Sequence, residues 1–146
     1  MNSKNPARTT HSAALSPWRS PGVWLTVALS TYLLINVARA LANPVDFAAS
    51  FGTPLTDSTD TAFVIVYAIR TLFLGLFGPV LIARAQWKAL PLFALVAVVM
   101  PIGDALLVAS QGGAAGIIAR HAATAIVVLV TWFLLQRWVR RLEAAA

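Results

Sequence analysis

Residues 61–83 read TAFVIVYAIRTLFLGLFGPVLIA, 23 residues interrupted by one charge, Arg70. A helix of about 20 mostly apolar residues crosses the hydrocarbon core of a bilayer, so this stretch predicts a membrane span. The same reading extends outward from it. Upstream, 19 consecutive residues from Ser20 to Ala38 carry no charge, predicting a span over about 23–42. Downstream, 89–109 is broken only by Asp104, and 114–136 carries Arg120 and His121 near its start. The expected fold is all-α: an integral membrane four-helix bundle over 23–138. A disordered cytoplasmic tail over 1–22 and a short cytoplasmic tail over 139–146 are expected to flank it.

Composition agrees. The chain of 146 residues is 59% hydrophobic and 11% charged, with mean hydropathy +0.77. Soluble domains carry about 25% charge, and a chain this short cannot bury so much apolar surface in a water-soluble core. Soluble globular, disordered and coiled-coil chains are excluded. The absence of cysteine excludes disulfides, thiolate metal sites and a cysteine nucleophile.

The charges sort by side. Lys4, Arg8 and Arg19 precede the first span, Arg84 and Lys88 separate the second and third, and Arg137, Arg140 and Arg141 follow the fourth. These eight of eleven basic residues fall at one end. The 18-residue loop 43–60 at the other end holds Asp46, Asp57 and Asp60 and no basic residue. By the positive-inside rule both termini are cytoplasmic. The chain is then a multi-pass cell-membrane protein, with an inner membrane as the expected setting. The net charge of +6 is an orientation signal rather than a nucleic-acid footprint. Trp18, Trp24, Trp87, Trp132 and Trp138 fall near the same boundary, as an interfacial belt requires. A rival reading takes the first span as a signal peptide cleaved after Ala40-Leu41-Ala42. The long lead-in, the long apolar stretch and Arg39 beside the cut all weigh against it.

Arg39, Arg70 and Arg120 are left over, with Asp104, His121 and Asn36. Ionisable groups within a span usually face a bundle interior or a wet cavity. Arg70 lies nine residues in from the outer end, roughly 14 Å, Asp104 five residues, roughly 8 Å, and His121 seven, roughly 10 Å. Asn36 and Arg39 lie six and three residues from the outer end of the first span. Each span thus places a polar group in the outer half. Phe63, Tyr67, Arg70, Thr71, Leu74, Gly75 and Gly78 form one predicted stripe, opposite Val64, Leu72, Leu76 and Val80. Gly75 and Gly78 permit close helix approach. In the fourth span His121, Thr124, Ala125, Val128 and Thr131 share a face. Pro101 interrupts the helical ladder three residues before Asp104 and frees backbone carbonyls.

Three functions fit these residues. Asn36, Tyr67, Arg70, Asp104 and His121 could line a pocket for a small apolar or lipid-like ligand, in a binding or transport-related protein. Asp104 or His121 could act as base or acid on an apolar substrate, with Arg70 steadying developing negative charge. Alternatively, Arg70 and Asp104 form a structural ion pair with His121 as companion, in an accessory subunit. Arg39 and Arg120 can snorkel to the outer interface. One intramembrane histidine cannot build a two-histidine metal or haem site, His11 sits in the tail, and Ser30 lies toward the opposite side from His121. No cofactor and no metal is expected. The expected partners are membrane lipids and a small apolar ligand, not nucleic acid. Four helices enclose too narrow a space for a monomeric channel, so transport would require oligomers.

The outer loop carries Asn43-Pro44-Val45-Asp46-Phe47-Ala48 followed by Phe51-Gly52-Thr53-Pro54. With Tyr67-Ala68-Ile69-Arg70 and Gly75, Pro101-Ile102-Gly103-Asp104, and His121, this ordered set resembles the DUF4267 family of small four-span membrane proteins, over about residues 23–138. A looser likeness to DoxX-type four-helix membrane proteins implies the same architecture. The DUF4267 resemblance implies a fold and no reaction. Within the loop, Asn43-Pro44 stops a helix, and Phe47 and Phe51, four apart, suit one face of a short interfacial helix ended by Gly52 and Pro54. Such a segment would lie over the polar cluster as a lid, or serve as an ordinary re-entry loop.

Overall fold

Proline, asparagine and glycine set the helix boundaries, and the boundaries set the bundle. The computed structural model describes residues 16–57 and 60–145. After a 3-10 turn at Pro17–Arg19, helix α1 spans Pro21–Ala42, with Pro21 in its first turn, where a missing N–H costs nothing. Asn43 leaves helical geometry before Pro44, then caps the next helix by accepting a hydrogen bond from the Asp46 amide. That helix, α2, spans Pro44–Phe51 and ends at Gly52, whose φ of 104° is open to glycine at little cost. Helix α3 spans Thr61–Ala83, α4 Ala89–Ala97, α5 Val99–Ser110 and α6 Ala115–Ala144. Four helical elements are long and apolar enough to cross a membrane: α1, α3, the α4–α5 pair and α6.

The third span is divided for the reason its sequence supplies. Pro101 has no N–H to offer the Ala97 carbonyl, so the ladder breaks at Val98. Elsewhere the boundaries move. The N-terminal stretch 16–22, expected in the tail, already carries the 3-10 turn and the start of α1; residues 1–15, His11 among them, lie outside the described residues. The fourth helix runs to Ala144 rather than stopping near 136, because Leu135, Trp138, Val139 and Leu142 continue its apolar stripe against the Leu90 end of the bundle. Trp138, expected in the interfacial belt, is buried in that packing, 5.4 Å from Trp87. Trp18 and Trp24 are exposed and lie 5.9 Å apart.

Around the bundle the order is α3, α1, α6, then α4–α5. The α1–α3 pairing is the most extensive, and small residues make it possible. A Cβ on Gly75 would sit 3.1 Å from Leu34, and one on Gly78 3.0 Å from Thr26. On the fourth side α3 meets α4 near their connecting turn but has little contact with α5. The bundle is therefore open along one flank at the end that carries α2. Apolar clusters close both ends: Val23, Leu81, Leu90 and Leu135 at one, Val37, Ala40, Phe47 and Ala68 at the other. A belt of exposed apolar side chains, including Phe63, Leu92, Val99 and Leu106, surrounds them. That belt suits lipid and would aggregate in water.

Candidate functional site

The site lies between the apolar clusters, under α2. The eight-residue helix turns Phe47 and Ala48 inward to near-complete burial. Phe47 stands 5.9 Å from Phe51 and 5.4 Å from Tyr67 of α3, and Phe51 is 5.1 Å from Tyr67. The apolar face expected of this helix is present, and it packs down on the bundle as a roof.

Two neighbouring residues of α6 fasten that roof. A helix leaves its last carbonyls without partners. Arg120 donates to the Ser50 carbonyl at 2.6 Å, and His121 Nε2 lies 3.1 Å from the Phe51 carbonyl. Because a carbonyl only accepts, His121 must carry its hydrogen on Nε2. The Phe51 ring also meets the His121 ring edge-on at 4.7 Å. Arg39, from α1, reaches the Ser50 hydroxyl at 3.4 Å. A cation at a helix C-terminus also meets the negative end of its dipole. Gly52 completes the joint: a Cβ there would fall 2.8 Å from Ile117 and 2.9 Å from Val108.

With Nε2 committed, the other ring nitrogen of His121 faces Asp104 of α5 at 4.0 Å. Both are sheltered, His121 almost fully and Asp104 largely. Asn36 is buried and gives its amide hydrogen to the Tyr32 carbonyl one turn back. These groups line a cavity of about 80 Å³ that also includes Arg39, Ser50, Phe51, Tyr67, Thr71, Arg120 and Thr124.

Four of the five expected pocket residues, Asn36, Tyr67, Asp104 and His121, are thus brought together. Arg70 is not among them, which corrects the expected stripe. The buried face of α3 runs through Val64, Ala68, Thr71, Gly75 and Gly78. Arg70 is rotated roughly 100° from Thr71, is exposed, and makes no ion pair among the described residues. Phe63 is likewise exposed, while Val64, expected against lipid, is buried. The expected Arg70–Asp104 pair does not form, and the carboxylate's partner is His121. Arg39 and Arg120, which can snorkel, are exposed and also reach Ser50 of α2.

The polar cavity is not isolated. Below it lies an apolar chamber of about 90 Å³ whose walls include Leu29, Phe93, Ala97 and Val128. The two share Tyr32, Leu33, Leu74, Met100, Pro101 and Thr124 as common walls. Beside them, a crevice of about 230 Å³ opens between Phe63, Val64 and Tyr67 of α3 and Asp104 and Leu107 of α5, beneath Phe47 and Phe51. Asp104 and Tyr67 line both the crevice and the polar cavity. Polar groups, an apolar chamber and a side opening therefore meet in one place.

Comparison with known proteins adds one match. The family model described as Domain of unknown function (DUF4267) covers residues 30–135, which includes every side chain of the polar cavity. Neither the curated proteins nor the solved structures contain a match to the chain.

Proposed function

The chain belongs to the DUF4267 family, and on that premise we propose that it is a multi-pass cell-membrane protein that binds a small apolar or lipid-like molecule in the polar pocket of its outer half. One observation carries the reading: the polar cavity around Asn36, Asp104 and His121 shares walls with an apolar chamber directly beneath it. Ligand sites are mostly apolar clefts with a few convergent polar groups that fix orientation. The distribution of basic residues supports an orientation with both termini in the cytoplasm, so the roofed pocket faces outward.

The experiment is native mass spectrometry and thermal unfolding of the purified full chain. The wild-type protein should retain a lipid-like molecule, and delipidation should lower its melting temperature. Asp104→Asn and His121→Ala should each weaken retention. Unchanged retention in both variants sinks the proposal.

The His121–Asp104 geometry favours a second reading, acid–base chemistry on an apolar substrate. With its Nε2 hydrogen held by Phe51, His121 can exchange a proton only through the nitrogen that faces Asp104. Turnover that is lost in His121→Ala, with folding intact, would select this reading. Full activity in both His121→Ala and Asp104→Asn would exclude it.

A further inference from the structure

The three arginines left over by the topology argument share one feature. Arg39 and Arg120 both line the polar cavity and both reach Ser50, one at its hydroxyl and the other at its carbonyl. Among the described residues neither has a carboxylate within ion-pair distance. Each guanidinium carries five donors, and the hydrogen bonds to Ser50 occupy one on each. Asp104, by contrast, already faces His121. Under α2 the cavity thus has two exposed cations that share Ser50 and have no ion pair among the described residues, with Asp104 on the same cavity lining.

Arg70 extends the pattern to the flank. It lies seven residues from Phe63 and seven from Phe77, so the three share one stripe of α3. Phe63 lines the crevice, and Phe77, further along the stripe, meets Phe93 with ring centroids 5.2 Å apart. Arg70 lies about one turn beyond Tyr67, which lines the crevice, and is exposed and without an ion pair among the described residues. A lone cation within a span is costly, and a lipid headgroup of opposite charge would lower that cost. The crevice meets the polar cavity at Tyr67 and Asp104, and Arg39 and Arg120 line that cavity.

We infer that the ligand is an anionic amphiphile with a single apolar chain, admitted from the bilayer between α3 and α5. Its head is held by Arg39 and Arg120 beneath α2, and its chain passes Met100 and Pro101 into the apolar chamber. The chamber is lined by Thr26, Leu29, Phe93, Ala94 and Val128 and, at about 90 Å³, takes only the end of one chain. This rests on the binding function proposed above and names its ligand class.

Three probes of equal chain length separate the two claims: palmitate, hexadecanol and hexadecyltrimethylammonium, titrated into delipidated full-length protein in nanodiscs. Native mass spectrometry and thermal unfolding provide the readouts. Palmitate should bind about tenfold more tightly than hexadecanol, the scale of one charge-assisted hydrogen bond. The ammonium should bind more weakly still. Arg39→Gln should erase most of the preference for palmitate with little change in melting temperature, because its bond to Ser50 is long. Arg120→Lys, which keeps the charge, should preserve part of the preference even where α2 loosens. Arg70→Gln should slow palmitate uptake without changing the amount bound at equilibrium. Lys88→Gln, at the opposite end, serves as the control. Equal binding of all three probes, or a preference unaltered by Arg39→Gln, overturns the anionic assignment while leaving an amphiphile pocket in place. Uptake at the wild-type rate by Arg70→Gln overturns admission past Arg70. Failure of all three probes to bind overturns the ligand-binding function itself.

Discussion

Arg70 shows how a correct residue can be given a wrong neighbour. Its depth is legible from counting, and so is the oddity of a charge there. Its direction is not, because apolar residues cover every face of α3 and a broad stripe can be drawn through many of them. The narrower row of small residues, Ala68, Thr71, Gly75 and Gly78, carries the true phase, since only small side chains let α1 approach. Replacing a mid-span charge that has no ion pair among the described residues should help stability: insertion scales place arginine at about 2.5–3.5 kcal/mol there. Arg70→Leu is expected to raise the melting temperature in nanodiscs. His121 behaves oppositely. Removing a buried hydrogen bond and leaving the Phe51 carbonyl unpaired costs about 1–3 kcal/mol, so His121→Ala should lower the melting temperature and speed protease cleavage in 52–57. Gly52→Ala meets both a φ of 104° and the Ile117 and Val108 side chains, and a loss of more than about 1 kcal/mol is expected in thermal unfolding.

At the scale of elements, the spans were readable because bilayer thickness constrains their length, and α1, α3 and the third span fall within two residues of their expected limits. The end of α6 was not. Basic residues mark the edge of a span in sequence, but arginine is a good helix former, and Trp138 and Val139 still have packing partners. The short helix α2 was legible from Asn43, Pro44, Gly52 and the Phe47–Phe51 spacing. Its attachment was not, since the fastening residues lie 70 positions away. The break in the third span is testable. A proline within a helix costs about 3 kcal/mol, so Pro101→Ala should restore the ladder between α4 and α5 and raise the melting temperature. Because Pro101 walls both chambers, the same variant should retain less ligand, measured by native mass spectrometry.

For the whole molecule, low charge and a one-sided basic distribution determine most of the architecture, and the absence of cysteine makes the orientation simple to test. A single cysteine at Gly112, in the turn after α5, should react with a membrane-impermeant maleimide added outside intact cells. One at Lys88 should react only after the membrane is opened. The reverse pattern would invert the topology and place the roofed pocket inside. The bundle also shows why the site resists local reading: α1, α2, α3, α5 and α6 all contribute to one small cavity. Its fastening has a consequence for how the protein is made. A chain emerges from its N-terminus, so α2 is made long before Arg120 and His121 exist. Until the last helix enters the bilayer, nothing holds the C-terminal end of α2 through these bonds. Completion of the pocket is therefore a late event of biogenesis.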